Sequence, residues 1–337
     1  MKEYKKKLLA GTLGTIAGLI IAWALLESTS GEGGPGAAVR RIVAMTIHAD
    51  PGLLFAAFLL FTANVVLKAM RWLFLDVSGN SGFGVSMAVT SVHVGLAHLL
   101  PFRLGDLAFV AMFRRFGDVP VGYGTAGMVF SKFVDLIALG MVMSACMIFA
   151  PMESALSAPA AVFLGIAGIL SLASVIGFLK RPMKWILSKL MPGDRTFWMD
   201  DLLKASSLEG RKKKIAAAIA ISVLVWLAKL YMFSLILKAV GVKEIPTWKI
   251  FMAGGVMNLV MALPIHGLLN LGTTEAGWTA AFAMVGITGG NAAFDVVQVG
   301  FAVHIVWICM AVLLLLFGTA MLTGIFLKKK KERGVLG

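Results

Sequence analysis

The sequence predicts an all-α polytopic membrane protein with about six full spans and two re-entrant hairpins in an inverted-topology repeat. Three observations predict it. Of 337 residues, 59% are hydrophobic and only 14% charged, with a mean hydropathy of +0.90; an ordinary soluble domain is about 25% charged. The basic residues cluster beside apolar runs, at Lys2–Lys7, Arg114–Arg115, Lys180–Lys214 and Lys328–Arg333, the positive-inside pattern. Two apolar stretches are interrupted by Pro- and Gly-bearing polar motifs, Pro101–Asp106 and Pro264–Glu275. The composition excludes a soluble enzyme, a disordered protein and a secreted disulfide scaffold.

The elements follow in order. Leu8–Leu26 has 19 apolar-rich residues, longer than a signal-peptide core, and lacks a clean A-x-A site, so it reads as a retained span running outward. Ala37–Ala49 reads as an interfacial amphipathic helix. Pro51–Trp72 returns inward. Val85–Phe113 is treated as a hairpin, because a single span would put Arg114-Arg115 outside and Pro101–Asp106 in its middle. Val121–Ala150 runs outward and Ala158–Leu179 inward. Lys180–Lys214 is the largest cytoplasmic segment, with ten Lys and Arg. Ile215–Val240 runs outward, and Thr247–Gly290 forms the second hairpin or, with the same parity, two nearly full spans. Val296–Leu327 ends inside. This layout puts 23 of 31 Lys and Arg in cytoplasmic segments or at their membrane edges. Gly84, Arg115, Arg211 and Lys330 are then cytoplasmic, and Gly34 and Gly241 outside. Trp23, Trp72, Trp185 and Trp248 are expected as interface anchors. Cys146 and Cys309 lie inside apolar runs and read as small buried hydrophobes, neither a disulfide nor a metal site.

Span, span, hairpin, span occurs twice with opposite sense. The first unit is 1–157 (hairpin 85–113) and the second 158–337 (basic segment 180–214, hairpin 247–290). A helix is expected to start after each tip, at Asp106 and about Thr273. Helix N-termini attract anions through unpaired N–H groups and partial positive charge. Charge inside a membrane costs about 2.5–3.5 kcal/mol per residue, so it calls for a purpose. Arg103, Lys132, Lys229, His266 and His304, with Asn258 and Asn270, are therefore candidate substrate-binding residues. Asp106, Glu275 and Asp135 are candidate proton-coupling groups. Each has a plainer alternative: Arg103 as a partner for broken backbone, Asp106 as a helix cap, Lys132 and Asp135 as a mutual i,i+3 ion pair. His93 and His98 read as packing histidines.

At these residues the sequence resembles the transmembrane, flippase-like region of lysylphosphatidylglycerol synthases and related prokaryotic integral membrane proteins. The resembling pieces are Lys68–Trp72, Leu100-Pro-Phe-Arg-Leu-Gly-Asp106, Ser131-Lys-Phe-Val-Asp135 and Leu263-Pro-Ile-His-Gly…Gly-Thr-Thr-Glu275. The chain departs from the family pattern at Phe109 (often Arg), at Ser131-Lys132 (Glu-Arg) and at His304 (commonly Arg), so the site carries less positive charge. Ten residues follow Leu327, so lipid aminoacylation is not expected.

The leading expectation is a membrane transporter that moves an anionic lipid or lipid-linked intermediate between leaflets. Its partners would be membrane lipids, with an anionic headgroup or of polyprenyl type. It is not expected to be an enzyme or to bind nucleic acid, a metal or a cofactor. The expected location is a prokaryotic cytoplasmic (inner) membrane, with both termini cytoplasmic. An intramembrane lipid-modifying enzyme and a non-catalytic scaffold are the alternatives.

Overall fold

A computed structural model describes residues 2–29, 33–101, 104–149, 211–261, 266–288 and 294–332. The expected span Ala158–Leu179 and most of the basic segment Lys180–Lys214 lie outside the described residues, as do Arg103 and Pro264. Among the described residues all regular structure is helical.

The helices are α1 (Lys2–Ser28), α2 (Gly34–Ile47), α3 (Pro51–Leu75), α4 (Phe83–Leu99), α5 (Leu104–Gly117) and α6 (Val121–Phe149). They continue as α7 (Lys212–Ala239), α8 (Thr247–Val260), a 3-10 turn at Leu268–Asn270, α9 (Thr273–Met284) and α10 (Val296–Glu332). Four of them, α3, α6, α7 and α10, are long and apolar enough to cross a membrane. The apolar stretches Gly14–Ser28 and Phe83–Leu99 are shorter. Local chemistry fixes the ends. Pro51 opens α3, and the Asp50 carboxylate accepts from the Gly52 and Leu53 N–H groups at 2.8 and 3.0 Å.

α3 packs along α7, and α4 along α10. Lipid tails are as apolar as the helices, so close packing rather than water exclusion holds such pairs. Small residues allow it where α4 meets α10. A Cβ on Gly318 would stand 2.7 Å from the Ser91 Cβ and 2.8 Å from the Ala88 carbonyl oxygen. Aromatic rings fill the centre. Trp278 is fully buried against Phe233 and Phe282, and Phe233 also meets Trp307.

The structure corrects two expectations. Trp72 is no interface anchor: its ring stacks on Phe113 at 4.3 Å, and its indole N–H donates to Ser81 Oγ at 3.0 Å. Cys309 is exposed on the helix surface, not buried, whereas Cys146 is half-buried.

The two interrupted stretches are helix pairs. α4 and α5 pack together across the first tip, and α8 and α9 across the second. The second tip rests on α1. Gly272 has φ +79° beside the Gly18 carbonyl, where any side chain would collide. The Leu268 N–H donates to Thr15 Oγ1 at 3.2 Å. Leu269 and Asn270 also have positive φ, of 57° and 54°. That backbone is strained for leucine, and the close packing of the tip maintains it.

Candidate functional site

A cavity of about 430 Å³ lies between the two helix pairs. α3 brings Lys68 to its wall, and α4 brings His93 and His98. α5 and α6 add Asp106, Lys132 and Asp135, and α7 and α8 add Lys229 and Asn258. The second tip contributes His266 and Asn270, and α10 contributes Trp307. A smaller cavity of about 80 Å³ shares Lys68, His93, Lys132 and Asp135 and reaches Leu75 at the end of α3.

The first-tip carboxylate is held by charge. Asp106 sits in the first turn of α5, where the positive end of the helix favours it. Its Oδ1 accepts from Lys132 Nζ at 3.1 Å and lies 2.8 Å from His93 Nε2. Asp135 pairs instead with Arg71, and the second contact, Arg71 Nη2 to Asp135 Oδ2, is 3.1 Å. Arg71 also donates to Ser222 Oγ of α7 at 2.6 Å. A two-pronged Arg–carboxylate pair is among the stronger polar contacts in a protein. Lys132 and Asp135, three apart on α6, thus find separate partners rather than each other.

The second tip has a matching pair out of reach of the cavity. Glu275, in the first turn of α9, accepts the Gly272 N–H at 2.7 Å through Oε2. Its Oε1 accepts from His304 Nδ1 at 2.5 Å. Glu275 and His304 are 0% and 1% exposed, and neither lines the cavity. On the cavity wall, His266 bonds Met261 O at 3.0 Å and Thr273 Oγ1 at 3.1 Å. Asn270 donates to the Ala97 carbonyl at 3.3 Å, tying the second tip to the first helix pair.

Two further cations face the cavity. Lys229 Nζ donates to Asn258 Oδ1 at 2.5 Å, and it stands 5.3 and 5.1 Å from the rings of Trp226 and Trp307. It sits ten residues, about 15 Å of helix, before the end of α7. The Lys68 side chain makes no hydrogen bond or ion pair with any described residue. The space among Lys68, Lys132 and Lys229 suits an anionic group, and the Leu136, Leu139 and Val225 wall suits an apolar one. Among the described residues, no group of three or more His, Cys, Asp or Glu is placed to hold a metal ion.

The family model described as "Lysylphosphatidylglycerol synthase TM region" matches residues 14–312. The chain belongs to this family. No curated protein and no solved structure matches it significantly.

On this family scaffold, seven of the ten residues singled out from sequence share one cavity: Asp106, Lys132, Asp135, Lys229, Asn258, His266 and Asn270. Glu275 and His304 are brought together behind it, and Arg103 lies outside the described residues. Sequence reasoning missed Lys68 and Arg71, placed at the membrane edge, and His93 and His98, placed in packing. A signal was available for the first two. Phe61, Asn64, Lys68, Arg71 and Leu75 follow each other at three- and four-residue spacing, one stripe of α3.

Proposed function

We propose that the chain is a lipid translocase that moves an anionic lipid or lipid-linked intermediate between leaflets. The observation that carries this is the cavity between the two helix pairs, where Lys68, Lys132 and Lys229 stand among polar groups and an apolar wall of Leu136, Leu139 and Val225. The family's description names a lipid synthase's transmembrane region, which supports a lipid as the substrate. In this reading Lys68 and Lys229 hold the phosphate-bearing headgroup. Asn258, beside Lys229, and His266 and Asn270 of the second tip add polar groups to the wall. Breaking the Asp106–Lys132 contact frees Lys132 for the ligand and leaves Asp106 to take a proton. Asp135 stays with Arg71, and Glu275 with His304 orients α9 against α10.

The transport cycle is alternating access of two inverted units, 1–157 and 158–337. The contact pattern supports the repeat. Exchanging α3 with α7, α4 with α8, α5 with α9 and α6 with α10 maps the α4–α10 packing onto α8–α6, and the α5–α6 packing onto α9–α10. It also maps the Asp106–Lys132 contact onto Glu275–His304, each a first-turn carboxylate on a basic residue of the next long helix. One of these pairs faces the cavity and the other is sealed, as expected of a carrier caught on one side of its cycle. With the positive-inside orientation, both termini lie in the cytoplasm and the protein sits in a prokaryotic inner membrane.

The test is chemical. Full-length protein is reconstituted in vesicles with a panel of anionic lipids, which are then recovered and weighed by mass spectrometry. A translocase moves a lipid to the other leaflet with its mass unchanged. A changed mass assigns the protein to lipid modification, and no movement of any panel lipid defeats the proposal.

A further inference from the structure

The ends of α5 and α10 frame a second concavity, of about 360 Å³, with none of the central cavity's lining residues. Its wall carries four cations, Arg114, Arg115, Lys329 and Lys330, against one carboxylate, Asp118, and two aromatic residues, Phe116 and Phe326. Lys329 is engaged by its neighbours, donating to Asp118 Oδ2 at 2.8 Å and to the Phe116 carbonyl at 3.0 Å. The side chains of the other three make no hydrogen bond or ion pair with any described residue. Arg115 and Lys330 converge on the same ring, at 5.6 and 5.9 Å from the centre of Phe326.

Basic residues at a helix C-terminus and after a span have ordinary explanations, the helix dipole and the positive-inside pattern. Neither explains why cations from helices some 200 residues apart meet in one hollow with positive charge in excess. The hollow is also amphipathic. Phe326 and Leu327, 37% and 50% exposed, border the charges where α10 passes from apolar sequence to Lys328–Lys331. A soluble phosphate would use only the charges, whereas a phospholipid would use both. Phe326, Lys329 and Lys330 lie beyond the family match, which ends at residue 312.

We propose that this groove binds the phosphodiester headgroup of an anionic phospholipid from the adjacent leaflet, at a site separate from the central cavity. Basic pockets between membrane helices are suited to such headgroups. The occupant is held in place rather than transported.

A site-local probe tests this apart from transport. A fluorophore is attached at Ala111→Cys, on the groove wall, in full-length protein with Cys146→Ser and Cys309→Ser. Quenching is titrated in nanodiscs with spin-labelled phosphatidylglycerol and spin-labelled phosphatidylcholine. The phosphatidylglycerol should quench at far lower mole fraction. Arg115→Gln with Lys330→Gln should weaken that affinity about thirtyfold, the equivalent of about 2 kcal/mol for two lost charges. Lys212→Gln with Lys213→Gln, exposed residues off the groove, should leave it within threefold. Unchanged melting temperatures in neutral detergent establish that both pairs fold. Equal quenching by the two lipids overturns the proposal, as does an equal loss in the control pair, which would reflect general surface charge. Reversal by millimolar glycerol 3-phosphate would also overturn it, by showing a site for soluble phosphoesters.

Discussion

Glu275→Ala isolates the buried pair behind the second tip. In the native structure one carboxylate oxygen accepts the Gly272 N–H at 2.7 Å and the other accepts from His304 Nδ1 at 2.5 Å. Alanine strands both donors. His304 Nε2 already lacks a partner among the described residues, so the imidazole loses its last protein contact of this kind. A stranded buried donor costs about 1–3 kcal/mol, which puts the substitution at about 2–6 kcal/mol before any loss of packing. Glu275→Gln is milder. Its carbonyl oxygen accepts from Gly272, and its amide donates to His304 Nδ1 once the imidazole carries its proton on Nε2. The expected cost is then about 1–3 kcal/mol, because the proton on Nε2 sits buried without a partner among the described residues. Denaturant midpoints of purified protein in detergent measure both. Equal midpoints for the alanine and glutamine variants would refute the pairing and its role in fixing α9 on α10.

Arg71→Ala leaves Asp135 without its partner and should destabilise by about 3 kcal/mol, while adding Asp135→Ala should recover part of the loss; a double-mutant cycle by denaturation reads the coupling. Gly318→Leu forces α10 off Ser91 and Ala88 and should cost about 1–3 kcal/mol in the same assay, where Gly324→Leu, with open space around it, should be nearly neutral. Single cysteines at Arg115 and Lys330 should react with an impermeant maleimide only from the cytoplasmic side, and one at Gly241 only from outside. Reaction of the cysteine at Arg115 from outside would remove the first hairpin as a re-entrant element and the inverted repeat with it.

How much of this was legible in the sequence differs between spans and partners. A spanning helix is set by length and hydropathy, both local properties, so α3, α6, α7 and α10 lie where the apolar runs placed them. The breaks at Pro101 and around Pro264 were legible for the same reason, and α9 starts at Thr273 as expected. Partners were not local. Asp135 has Lys132 three residues away on its own helix, yet Arg71 of α3 takes it, because α3 and α6 both turn that face inward. His93 looked like packing until α5 folded back on α4 and set Asp106 beside it. Glu275 and His304 were both candidates, but only the packing of α9 on α10 makes them one buried unit rather than a cavity-facing acid and base. Lys68 reads as an edge residue by counting from Arg71, and only the crossing of α3 with α7 shows that it faces the cavity.

The most direct measurement is leaflet exchange of an anionic lipid in proteoliposomes, comparing native protein with Lys229→Gln. The variant keeps a polar side chain beside Asn258 and removes the charge between Trp226 and Trp307. A hydrogen bond to a charged group is worth about 1.5–3 kcal/mol, so lipid affinity and exchange at low lipid fraction should fall at least about tenfold with the fold intact. Native protein should speed exchange well above protein-free vesicles. Exchange no faster than in protein-free vesicles, or equal in native and variant protein, would contradict the assignment of the cavity as the path of the headgroup.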